Sequence, residues 1–225
     1  MKYLKLTTLL LTLSFFACKE KATKNVSKTF KEQNQSNLTN DAAELEKLTK
    51  ELYKWNETKS SQVDFDPIKK EKDDLIYTRI DLARHKQRLN ELKETDFFTD
   101  YFIQNYNNIA LTIDEKMVNK SFVYYVGELP PYGNDANPWC NCQDNPDNYW
   151  GKIALKNVII NNNTATYNWS LGDKFEYKVK AIKENGVWKI SYLQGFDFNE
   201  FFPTKQQNGQ RENNQPLRHE RSNSF

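Results

Sequence analysis

The chain has 225 residues, of which 38% are hydrophobic, 14% aromatic and 28% charged. That length suffices for one sizeable core, and a mean hydropathy of -0.86 beside so many rings implies a small aromatic core with polar extensions. Its 32 basic and 30 acidic side chains leave a net charge of +2, which supplies no field for gathering nucleic acid and argues against that class of partner.

Met1 to Ala17 reads as a targeting segment. Lys2 and Lys5 make a basic start, and Leu6 to Phe16 is an apolar run too short to span a bilayer as a permanent helix. Ala17 followed at once by Cys18 resembles a bacterial lipoprotein signal, in which a peptidase cuts before the cysteine and its thiol carries lipid. Phe15 and Phe16 depart from that pattern, and the alternative is a plain secretory signal with an incidental cysteine. The resemblance implies a lipid-anchored protein of the bacterial cell envelope, with the membrane as partner through Cys18. Acyl chains partition at about 0.8 kcal/mol per buried methylene, so a multiply acylated cysteine would hold firmly. Residues 18–39 are expected to be a disordered polar tether, with little beyond Val26 and Phe30 to bury.

Residues 40–203 carry the patterned part of the chain. Asn40-Asp41 offers an N-cap, with Glu44 in capping-box position, ahead of Leu45, Leu48, Leu52 and Trp55 at helical spacing. A second helix is expected over Leu75 to Lys93 with Leu82, Leu89 and Leu92 as its apolar seam. His85 lies on it and has two readings, a general base or a solvated position. Its neighbours Arg84, Lys86 and Arg88 favour the second. Thr95 is read as the cap of a third helix, Asp96 to about Asn108. Its core stripe is Phe98, Phe102, Tyr106 and Ile109, widened by Phe97, Tyr101 and Ile103. Lys116 to Lys120 then turns into a first strand, Ser121 to Val126.

Gly127 to Trp150 holds Pro130, Pro131, Pro138 and Pro146 and a run of Asn and Asp. A loop of that length inside a compact domain is often functional or carefully packed, and Tyr132, Trp139, Tyr149 and Trp150 suit it to pack as a lid. Cys140 and Cys142 are the only thiols besides Cys18. A local bridge or two inert thiols is the simpler reading, and a strained redox-active bridge the sharper one. They make an incomplete metal site even with Asp144 and Asp147, and the spacing of Asp135, Asp144 and Asp147 does not fit an EF-hand, so no metal is expected.

From Lys152 to Phe198 the period is two. Tyr167, Trp169 and Leu171, then Phe175, Tyr177, Val179 and Ala181, then Trp188, Ile190 and Tyr192 alternate with polar residues. Asn161-Asn162-Asn163, Gly172-Asp173 and Asn185-Gly186 separate the runs with turn chemistry. This predicts an antiparallel meander with one buried, ring-lined face. After Pro203 the composition is polar and repetitive, and residues 204–225 are expected to be a disordered tail.

Helices followed by a polar loop and a curved meander ending in Gly186-Val187-Trp188-Lys189-Ile190 resemble the nuclear-transport-factor-2-like (NTF2-like), cystatin-like α+β cone. More narrowly, Phe102, Asn137-Pro138-Trp139, Gln143-Asp144 and Asn185 to Ile190 are similar to the DUF3828 envelope lipoproteins. The resemblance implies N-terminal helices packed on the sheet, and a cone whose mouth holds a small molecule, a peptide or a partner's side chain. Phe102, Tyr106, Tyr167, Trp169, Tyr177, Trp188 and Tyr192 are then the pocket candidates, and Trp139, Cys140, Cys142, Gln143 and Asp144 the loop candidates. Enzymes of that superfamily use an Asp or His base with Tyr or Asp donors. Here the only histidines are His85 and His219, and no acid stands in the apolar register of the strands. The leading expectation is a non-enzymatic binding module without a cofactor, its partner an envelope protein or a small ligand. The alternatives are an Asp/Tyr enzyme of the cone and a redox protein using Cys140 and Cys142.

Overall fold

The computed structural model describes residues 21–61, 64–144, 146–172 and 175–202, with side chains from Leu38 onward. The signal segment, Cys18, His219 and the tail lie outside the described residues. Contacts divide the chain into Met1–Asn40 and Asp41–Phe225. In the first unit the described residues belong to helix α1 (Lys21–Thr58). Residues 21–39, expected to be a disordered tether, lie within this helix. Asn40-Asp41 lies inside α1 rather than capping it. Asp41 instead accepts from Lys183 Nζ at 2.6 Å and Trp188 Nε1 at 3.1 Å.

The second unit is α+β. After α1 come the short strands β1 (Pro67–Ile68), β2 (Ile76–Tyr77) and β3 (Arg79–Ile80), then α2 (Leu82–Glu94), α3 (Asp100–Val118) and β4 (Tyr124–Tyr125). The expected second helix thus begins only at Leu82. Asp81 caps it, accepting from the amides of Ala83 and Arg84, while residues before it pair as strands. The third helix starts at Asp100, capped by Thr99 Oγ1 on the Phe102 amide at 3.2 Å. Thr95 closes α2 instead, donating to the Leu92 carbonyl at 2.7 Å. The expected first strand shrinks to β4, which pairs with β2 and not with the meander.

The meander is a four-stranded antiparallel sheet in the order β5 (Ala154–Asn161), β6 (Thr164–Ser170), β7 (Tyr177–Glu184), β8 (Val187–Leu193). Its turns need a left-handed backbone, and Asn162, Asn185 and Gly186 supply it with φ of 52°, 52° and 83°. Ala165, Tyr167, Trp169, Tyr177, Val179, Ala181, Trp188 and Ile190 form the buried face. The pairing register shifts twice, on β5 between Lys156 and Ile159 and on β8 opposite Lys180 and Ala181. Lys180 pairs with Tyr192 and Ala181 with Ile190, so Ser191 is an extra residue on β8. A bulge of one residue moves the following side chain to the other face. Tyr192 therefore lies on the outer face, under Lys180 Nζ at 4.9 Å and donating to Asp197 Oδ2 at 3.2 Å. The outer edge of β8 is covered where Ile190 exchanges hydrogen bonds with Phe97 and Thr99.

Helix α1 meets the sheet through Tyr53 on Trp169, with ring centroids 4.8 Å apart, and Thr49 on the Tyr167 hydroxyl at 2.9 Å. Helix α3 adds Phe102, Tyr106, Ile109 and Ile113, all essentially inaccessible, whereas Tyr101 points outward.

Candidate functional site

The site begins where the chain leaves α1. Phe65 has a φ of 57°. That left-handed conformation costs a non-glycine residue about 1–2 kcal/mol and persists only when the surroundings fix it. Here they do. The Phe65 ring packs 4.9 Å from Tyr106 and 5.6 Å from Phe201, and only 3% of the residue is exposed.

The turn drops Asp64 inward beside it. Asp64 Oδ1 accepts from Arg88 Nε at 3.0 Å and from the Tyr106 hydroxyl at 2.5 Å, and Oδ2 accepts from the Trp139 indole at 2.5 Å. Arg88 is itself buried. Its other nitrogens reach Glu91 at 3.1 Å and Asn56 at 3.3 Å. The guanidinium also lies 5.3 Å from the Trp55 ring and 5.4 Å from the Trp139 ring. Burial works against its charge, but Asp64, Tyr106 and Glu91 together outweigh it and raise its pKa. The carboxylate thus ties together α2, α3 and the long loop, and Arg88 carries the link on to Asn56 of α1.

His85 sits one turn before Arg88 on the same face of α2, with its ring stacked on Tyr106 at 5.6 Å. It is 5% exposed, so the expectation of a solvated position is overturned. Arg84 and Lys86 misled because they are exposed on either side of it, while Arg88 is buried beside it. Nε2 meets Asn107 Oδ1 at 3.0 Å, and Nδ1 has no partner. Burial lowers the imidazole pKa below its usual 6.5, although Asn107 and the Asp64 carboxylate favour the cation. The unfolded chain then takes up this proton first. Stability is whole above the unfolded value and falls as pH drops through it towards the native value. The unfolding midpoint in urea should fall between about pH 7 and about pH 5, and His85→Gln should lose part of that fall. An identical fall in both proteins would exclude His85 as its source.

The long loop is fastened by rings of α1 and of the sheet. Tyr53 donates to the Trp139 carbonyl at 2.7 Å, and Tyr177 to the Pro138 carbonyl at 2.7 Å. The Trp169 indole donates to the Tyr53 hydroxyl at 2.9 Å. This places the pocket candidates. Phe102, Tyr106, Tyr167, Trp169, Tyr177 and Trp188 are core residues, at most 3% exposed, and their polar atoms are spent on protein groups. Tyr192 stands apart on the outer face, so the seven do not form one open pocket. Of the loop candidates, Trp139 and Cys140 are buried, Gln143 and Asp144 are exposed, and Cys140 is bridged to Cys142. Among the described residues no three His, Cys, Asp or Glu side chains stand grouped as metal ligands would.

Open space lies beside Asp64 instead. A cavity of about 240 Å³ has Asp64 and Phe65 on one wall, Tyr132 and Pro138 on the loop side, and Glu200 and Phe201 from α4 (Phe198–Phe201). Its charged lining residues are Asp64, Asp135 and Glu200. Sequence reasoning missed Asp64 because it lies in an irregular turn with no period to mark it. Arg88 carried a readable signal, since it continues the inward spacing of Leu92 and His85. No family model, curated protein or solved structure matches this chain.

Proposed function

We propose that the chain is a non-enzymatic binding module of a bacterial cell envelope, held on the membrane by lipid at Cys18, and that the cavity beside Asp64 is where it holds its ligand or partner. The carrying observation is the contrast between the two hollows. The ring-lined face of the sheet is filled, while the 240 Å³ space between Phe65, Tyr132 and Phe201 is not. An engineered apolar cavity of about 150 Å³ admits benzene, and pockets for drug-sized ligands start near 300 Å³. The present size suits one partner side chain or a small organic molecule. The order of helices, loop and meander supports an NTF2-like cone of the DUF3828 type, in which the loop has closed the mouth and moved the open space to its flank.

An acid–base enzyme has one observation in its favour, the Asp64–Tyr106 pair at 2.5 Å. Against it, Asp64 already accepts from Arg88 and Trp139, and burial keeps the Tyr106 hydroxyl protonated far above the ordinary phenol range. The Cys140–Cys142 bridge is read as a brace for the turn that carries Trp139 rather than as a redox centre.

The test is a titration with small aromatic probes, followed by the aromatic resonances of the protein. Shifts should be confined to Phe65, Tyr132 and Phe201, and Ala136→Phe, which fills the space from its wall, should abolish them. Shifts centred on Tyr167 or Trp169 would reject this site. In cells, Cys18→Ser should stop incorporation of a palmitate analogue and release the chain from membranes.

A further inference from the structure

We infer that the occupant of the cavity beside Asp64 is an organic cation, a protonated amine or guanidinium on an apolar stem. This rests on the reading of that space as a holding site.

The first ground is what the lining lacks. Among the described residues its charged lining is acidic, Asp64, Asp135 and Glu200, and of these Glu200 already has an interaction elsewhere. The ammonium of Lys116 lies over the Phe202 ring at 5.6 Å and lines the neighbouring hollow on the far side of Tyr132 and Phe201 rather than this one. Arg88 sits behind Asp64, only 1% of its side chain exposed, and does not line the space either.

The second ground is hydrogen-bonding capacity. Several donors on the wall are already committed within the protein. The Tyr132 hydroxyl donates to the Phe65 carbonyl at 3.4 Å, the Gly133 amide to the Phe201 carbonyl at 3.3 Å, and the Gly195 amide to the Tyr177 hydroxyl at 2.9 Å. An anion or a carbonyl entering there would find these donors spent. Asp64 is in the opposite condition. A carboxylate offers about four acceptor positions. Arg88 and Tyr106 take two on Oδ1 and Trp139 takes one on Oδ2, while 14% of the side chain stays exposed. The remaining position is held still by the other three contacts and calls for a donor brought by the occupant.

The third ground is shape. Phe65, Tyr132 and Phe201 present ring surface to the space, and ring faces attract cations as well as apolar stems. Asp135 is exposed at the rim, where it draws a cation inward, an effect that salt screens.

The experiment is calorimetric titration of the full chain, at low ionic strength and neutral pH, with three probes of matched shape. These are phenethylamine, its neutral counterpart 2-phenylethanol, and the anion 3-phenylpropionate. Phenethylamine should bind at least tenfold tighter than 2-phenylethanol, and 3-phenylpropionate should not bind. Asp135→Asn should remove part of that advantage, and added salt should do the same. The change is exposed and isosteric, and Asn tolerates the φ of 61° at position 135. Equal affinity for amine and alcohol would overturn the cation and keep the holding site. Binding of none of the probes would overturn both, and preference for the anion would overturn the cation alone. A lysine-containing tripeptide and its acetyl-lysine analogue separate the two sources of the cation. A partner's side chain gives discrimination between the peptides at least equal to that between amine and alcohol, and a free amine gives none.

Discussion

Replacing Asp64 by Ala is expected to cost about 3–5 kcal/mol of folding stability, the loss typical of breaking a buried ion pair from one side. The change removes the acceptor for three donors at once, on Arg88, Tyr106 and Trp139. It also leaves a guanidinium that is 1% exposed with only Glu91 and Asn56 for polar company. The paired variant Asp64→Leu with Arg88→Leu should be milder than the sum of its parts, because neither charge is then stranded. Urea denaturation of the wild type, Asp64→Ala, the two single leucine variants and the pair measures this through the midpoint at constant slope. A loss under about 1 kcal/mol for Asp64→Ala would mean that the carboxylate is not the tie it is argued to be.

Gly195→Ala is the second change with a large expected effect, and it acts by crowding. A Cβ at Gly195 would stand 1.9 Å from the Pro138 oxygen, 2.6 Å from its carbonyl carbon and 2.7 Å from its Cα. These are backbone atoms and no rotamer relieves the clash. The Pro138 carbonyl must move, yet it is held by the Tyr177 hydroxyl, which in turn accepts from the Gly195 amide. Relief therefore means lifting the loop from the sheet. The cost should reach about 3 kcal/mol, the upper end for overpacking, lowering the melting temperature by about 6–12 °C for a domain of this size. A change of under about 2 °C would show the loop to be loosely seated.

The meander was legible in the sequence because period-two alternation and the Asn-Gly turn report backbone geometry directly. The bulge at Ser191 was not. One inserted residue leaves the local pattern intact and alters only which face comes next, so Tyr192 was assigned inward. Caps were ambiguous for a similar reason. Thr95 and Thr99 carry the same hydroxyl, and the choice between them is made by pairing of Phe97 and Thr99 with Ile190, a contact distant in sequence. His85 and Arg88 were misread because charge dominated the reading of α2, although both fall on the spacing of its buried face. The site itself was least visible. Asp64 and Phe65 sit in an aperiodic turn, and only the fold brings them to Trp139 and Phe201.

The most direct measurement is a crystal of the protein pressurised with xenon, which occupies apolar space of sufficient size. The account predicts xenon between Phe65, Tyr132 and Phe201, and none among Tyr167, Trp169 and Trp188. Xenon lodged against the inner face of the sheet, with the space beside Asp64 empty, would contradict it.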